Sequence, residues 1–160
     1  LVYAAQRAGL RILSDDAVYV QLFPAPRVWA TDGPVFLAAD AVEWFPELAG
    51  LPIVTRANGR RKIALHVADA GAPLVCTGLC LLQRTGLARP RAAALTADDA
   101  VAELIAALSP GFDAFRDTIE PRLRALARGG AWRIELSEHP RAAVPLLRQL
   151  LDRVAAHAAS

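Results

Sequence analysis

Apolar and polar residues recur along this chain with two periods, close to two in much of the first half and close to 3.6 in most of the second. Leu1, Ala4, Ala5 and Ala8 stand at helical spacing before Gly9, which predicts a helix ending at that glycine. "LRIL" and "AVYVQLF" read as strands, the second ended by "PAP", with Asp15 and Asp16 between them. The stretch "AADAVEWFPEL" from Ala38 predicts a short helix with Pro46 near its end. "GLPIVTRANGRRKIALHV" predicts a hairpin turning on the two residues Asn58 and Gly59. "PLVCTGLCLLQR" is apolar almost throughout and predicts a buried strand on which Cys76, Gly78 and Cys80 share a face.

Beyond Thr96 the pattern turns helical. Thr96 caps "ADDAVAELIAALS" with Asp99 in the first turn, and "DAFRDTIEPRLRALAR" runs to Gly129 and Gly130, split at Pro121. "AWRIEL" is a late strand, and "PRAAVPLLRQLLDRVAAHAA" is an amphipathic helix with Pro140 and Pro145 early in it. This order predicts one domain over residues 1–160, of α/β or α+β class, on a mixed sheet with flanking helices.

Composition narrows the function classes. With 54% hydrophobic and 21% charged residues the chain is no disordered segment, and its longest uncharged apolar stretch, Ala72 to Gln83, is too short to span a bilayer. A net charge of +2 without a basic stripe interleaved with aromatics argues against nucleic acid as a partner, and nothing points to a membrane. Two cysteines make no disulfide framework and no signal-like start is present, so the cytoplasm is the expected compartment. Of the 18 basic residues only Lys62 is a lysine.

Two adjacent carboxylates after an apolar segment either face water at a turn or meet something positive. A nucleotide-binding core presents its metal carboxylate in this order, helix, short strand, acid; a solvated turn has the same local pattern. Lys62, with Arg60 and Arg61, follows the Asn-Gly turn, where a basic cluster either reaches phosphates or discourages edge pairing; Arg27 and Arg56 are weaker candidates. Cys76 and Cys80 fit the core better than a metal site. His66, His139 and His157 lie far apart in sequence, and no Gly-x-Ser-x-Gly elbow is present.

The segment "LVYAAQRAGLRILSDDAVYVQ" resembles the stretch directly after the P-loop in HPr kinase/phosphorylase and its relatives, P-loop kinases with a PEP-carboxykinase-like fold. Gly9, "LRIL" and Ser14-Asp15-Asp16-Ala17-Val18 stand in the family's order, and "PRVWATDGPVFLAADAVEWFPELAGL", "GRRKIAL" and "APLVCTGLCLLQR" are similar to its successive blocks. The resemblance implies residues 10–14 as a central strand with Asp15 and Asp16 at its exposed end. It implies transfer of the γ-phosphoryl of Mg-ATP to a serine hydroxyl of a peptide or protein. One of Asp15 and Asp16 would accept or position the proton and the other would help hold Mg2+, while Arg61 and Lys62 would bind phosphate or substrate. It further implies a Gly-x-x-x-x-Gly-Lys-Ser/Thr loop upstream of Leu1, outside this sequence, without which ATP affinity is low, and it is compatible with an oligomer. The Arg-Gly-Leu-Gly signature of true HPr kinases is not in this sequence, which points to the peptide-directed branch. The alternative is a non-catalytic α/β module that binds a peptide or protein, its acidic turn and basic hairpin being ordinary surface.

Overall fold

The computed structural model describes the chain except for residues 16, 31–32, 67–72, 76–77, 109–110, 112 and 159–160, and the side chains of residues 157 and 158. Among the described residues three sheets and five α-helices make a mixed α/β fold. They fall into two compact units, residues 1–19 with 29–73 and residues 20–28 with 74–160. A two-stranded sheet pairs β1 (Val18–Gln21) with β2 (Arg27–Ala30). No helix among the described residues is long and apolar enough to cross a membrane.

The first unit opens with α1 (Val2–Arg7), which ends as the sequence predicts. Gly9 takes φ +82°, its N–H reaches the Gln6 carbonyl and the Leu10 N–H reaches that of Ala5, so two orphan carbonyls of the last turn are satisfied. The helix buries Tyr3, Ala4 and Ala5. Tyr3 meets Phe45 edge-on at 4.8 Å, and Arg7 pairs with Glu47 at 3.1 Å. These contacts tie α1 to the short helix α2 (Ala41–Trp44) and the 3₁₀ turn Pro46–Gly50 that follows it. β3 (Val35–Ala38), β4 (Ile53–Thr55) and β5 (Arg61–Leu65) form an antiparallel sheet with β5 in the centre. Val35 and Ile63 are buried at 3% and 1% exposure.

Residues 10–14 do not form the expected central strand. A strand requires a partner edge whose N–H and C=O groups match it in register. At the Phe36 N–H, this part of the chain meets β3 through the Asp15 side chain instead. The β4–β5 hairpin forms as expected, but with a longer connection than two residues. Arg56 and Arg60 close it through Arg56 N–H to Arg60 C=O at 2.9 Å, leaving Ala57, Asn58 and Gly59 as a three-residue loop with Gly59 at φ +75°.

In the second unit β8 (Ala131–Ser137) lies between β6 (Leu79–Leu87), to which it is parallel, and β7 (Arg91–Leu95), to which it is antiparallel. Ile134 of β8 is wholly buried. β6, expected as a buried strand, is therefore an edge, and Leu82 is 53% exposed on it. Cys80, expected in the core, is exposed on the same face of β6 as Leu82; Cys76 lies outside the described residues. Helix α3 (Ala97–Ala106) contacts β6 and β8 and starts at Thr96, whose hydroxyl accepts from the Asp99 N–H at 3.0 Å as the capping pattern predicts. Pro121, expected to split its segment, sits inside a continuous α4 (Arg116–Ala127). In the second turn it removes a single hydrogen bond, and packing against α3 offsets that loss. The last helix, α5 (Val144–Ala158), follows the 3₁₀ turn Pro140–Ala143.

Ion pairs stitch this unit's surface together. Arg91 and Glu135 stand directly opposite each other on β7 and β8 and pair; Arg133 reaches Glu103 of α3, and Arg124 reaches Asp98 and Glu120. The hydrogen bond from Arg91 holds the Glu135 carboxyl below the ordinary glutamate range. A carboxyl whose folded pKa is lowered stabilises the fold above its unfolded pKa and loses that contribution as pH falls through the folded value. Glu135→Gln is therefore expected to lower the melting temperature at neutral pH, with the gap to the parent closing in acid below the ordinary carboxylate range. Gly130 has φ +125°, and a Cβ there would fall inside the van der Waals envelope of the Trp132 indole. Gly130→Ala should destabilise by about 1–3 kcal/mol, while Gly50→Ala, with open space around it, should not; chemical denaturation compares them.

Candidate functional site

The site grows from the hairpin. Because the side chains of a strand alternate, burial of Ile63 sends Lys62 and Ala64 to the opposite face of the sheet. The register sets Lys62 between Ala38 and Val54, and Ala64 beside Phe36. The three-residue loop then brings Arg56 and Arg60 across from each other at the hairpin's end. Asn58 steadies the loop, its side-chain carbonyl accepting from the Arg60 N–H at 3.1 Å. The Arg56 guanidinium lies 4.2 Å from the centroid of the Phe36 ring, a cation–π contact that holds it along the sheet.

Asp15 reaches this place from a different part of the chain. Its carboxylate accepts a 2.7 Å hydrogen bond from the Phe36 N–H, a donor on the side of β3 that β5 does not use. A cleft of about 310 Å³ results, lined by Asp15, Phe36, Arg56, Asn58, Arg60 and Lys62. Three cations thus share it with one described carboxylate. Among the described residues Arg56, Arg60 and Lys62 form no ion pair, unlike Arg91, Arg124 and Arg133 of the second unit. Such a cleft can hold an anion with more than one oxygen, and Asp15 is placed to accept a proton or a hydroxyl donor beside it.

Of the site residues expected from the sequence, Asp15 and Lys62 come together here. Asp16 lies outside the described residues. Arg61 is not in the cleft: it opposes Thr55 and alternates away from Lys62. Arg56, a weaker candidate, is one of its cations, and Arg27 stands on β2. Phe36 and Asn58 were not among the expected residues; the signal for Asn58 was the turn itself. No three His, Cys, Asp or Glu side chains gather as a metal site among the described residues. A magnesium ion that arrives with phosphates needs only one or two carboxylates, so Asp15, with Asp16 next to it in sequence, fits that chemistry.

No protein-family model, curated protein or solved structure matches this chain.

The Asp15 to Phe36 bond has a testable weight. Asp15→Ala leaves an edge N–H without its acceptor and should cost about 1 kcal/mol, whereas Asp15→Asn keeps an oxygen for it and should stay close to the parent in thermal denaturation.

Proposed function

We propose that this chain is part of an ATP-dependent serine kinase of the HPr-kinase-related type, with a PEP-carboxykinase-like P-loop core, that phosphorylates a serine of a peptide or protein. One observation carries the proposal. Asp15, the acidic residue of the sequence resemblance, shares a cleft with three cations that have no ion-pair partner among the described residues. In this reading Mg-ATP supplies the phosphoryl group, and one of Asp15 and Asp16 would help hold the metal. The serine oxygen bonds to the γ-phosphorus as the bond to the β-phosphate oxygen breaks, ADP leaves, and the hydroxyl proton passes to one of the two carboxylates. Lys62, Arg56 and Arg60 would hold phosphate oxygens or an acidic part of the acceptor, in a position to offset their negative charge.

The second reading, a non-catalytic module that binds a peptide or protein, is favoured by the bond from Phe36 N–H to Asp15, which gives this carboxylate a structural use. Phosphate transfer separates the two. In protein expressed from the whole coding sequence, Asp15→Asn or Asp16→Asn should slow transfer to a serine peptide by about a hundredfold or more, with stability within about 0.5 kcal/mol of the parent. Mass spectrometry of the peptide and a parallel melt read both quantities. Transfer at the parental rate in both variants would leave Asp15 only its place beside β3.

A further inference from the structure

The face of the sheet that carries Lys62 holds a second hollow. It measures about 640 Å³ and is lined by Pro34, Phe36, Pro52, Val54, Ala64 and His66 among others. It shares Phe36 and Arg56 with the cation cleft, so an apolar groove runs into a basic one. The floor is made of small or stiff side chains: two prolines, a valine and an alanine lose little rotamer freedom when covered. We infer that this face docks the acceptor itself, an extended peptide that is apolar where it crosses the sheet and acidic where it enters the cleft of Arg56, Arg60 and Lys62.

Charge complementarity selects that occupant. A purely apolar segment would cover the groove and gain nothing from the three cations at its end, whereas carboxylates beside the apolar stretch meet them. A nucleic-acid strand fits less well. Such strands need a longer basic track and free aromatic faces, and here the Phe36 ring already lies against Arg56. The inference rests on the kinase reading only in calling the bound peptide the acceptor; the docking surface is argued from the groove and its charges.

Fluorescence anisotropy with the 160-residue chain tests it, using three fluorescein-labelled peptides. One carries Val-Leu-Val-Ser-Glu-Asp-Glu, one has Gln and Asn in place of the acids, and one has Gly and Ser in place of the apolar residues. The first should bind about tenfold more tightly than either of the others. Arg60→Gln with Lys62→Gln should abolish the preference for acids and keep the preference for apolar residues. Ala64→Leu, which fills the groove, should weaken the first peptide while circular dichroism shows the fold intact. Equal affinity for all three peptides, no binding at all, an acid preference that survives the double substitution, or an oligo-dT strand that binds as well as the first peptide each overturns the inference. Binding with the expected preferences but without phosphate on the serine, in protein from the whole coding sequence supplied with Mg-ATP, overturns the kinase reading and leaves the docking surface standing.

Discussion

β5 is the central strand of its sheet, and Ile63, at 1% exposure, is its anchor. Exposing that side chain would forfeit about 1.5–3 kcal/mol of burial, so the strand has one way to face. A strand has a period of two, and the choice made at Ile63 is made for its neighbours. Lys62 and Ala64 must turn outward, Ala64 meets Phe36 across the ladder, and Lys62 lines up with Val54. The cation cleft and the apolar groove beside it are therefore consequences of how the core is buried. Neither would survive a one-residue slip of β5, which would turn Lys62 inward.

What Asp15 adds is a long-range tie. It stands 21 residues before Phe36, and its hydrogen bond to that N–H occupies a donor at the outer edge of β3. Two physical needs meet in one carboxylate: an edge strand must have its N–H groups satisfied or guarded, and a cleft with three cations favours an anion in its wall. The Arg56 contact with Phe36 works from the other side of the same residue. Phe36 is thus the hinge of the arrangement, touched by the carboxylate through its backbone and by a cation through its ring.

The hairpin of the first unit uses arginine differently from the second unit, although Arg7 in the first is also paired, with Glu47. In the second, the side chains of Arg91, Arg124 and Arg133 are matched by carboxylates across strands and helices, and their charge is used locally. In the first, the hairpin concentrates Arg56, Arg60 and Lys62 around Asp15, and none of the three has a described carboxylate in ion-pair range. Surface ion pairs contribute little to stability one by one, so the contrast bears on binding more than on folding.

Local signals were legible in the sequence. Gly9 ending α1, Thr96 starting α3, and the Asn58-Gly59 turn all act through hydrogen bonds within a few residues, and each appears where its pattern stands, the turn as a loop of three residues instead of two. The mixed α/β class could be read for the same reason, since period and capping are local properties. The sequence did not reveal that residues 10–14 would remain outside a ladder, or that β8 would take the centre and leave β6 at an edge with Cys80 exposed. Nor did it separate Lys62 from Arg61, which adjacency in sequence had joined and strand alternation divides. Ladder position and facing depend on which partner strand wins the competition for backbone hydrogen bonds and apolar contact, and that competition is settled only between segments far apart in the chain. By itself the sequence determined the turns, the caps and the apolar runs; the tertiary structure decided that Asp15, Arg56, Arg60 and Lys62 share one cleft, because only the folded sheet brings those segments together.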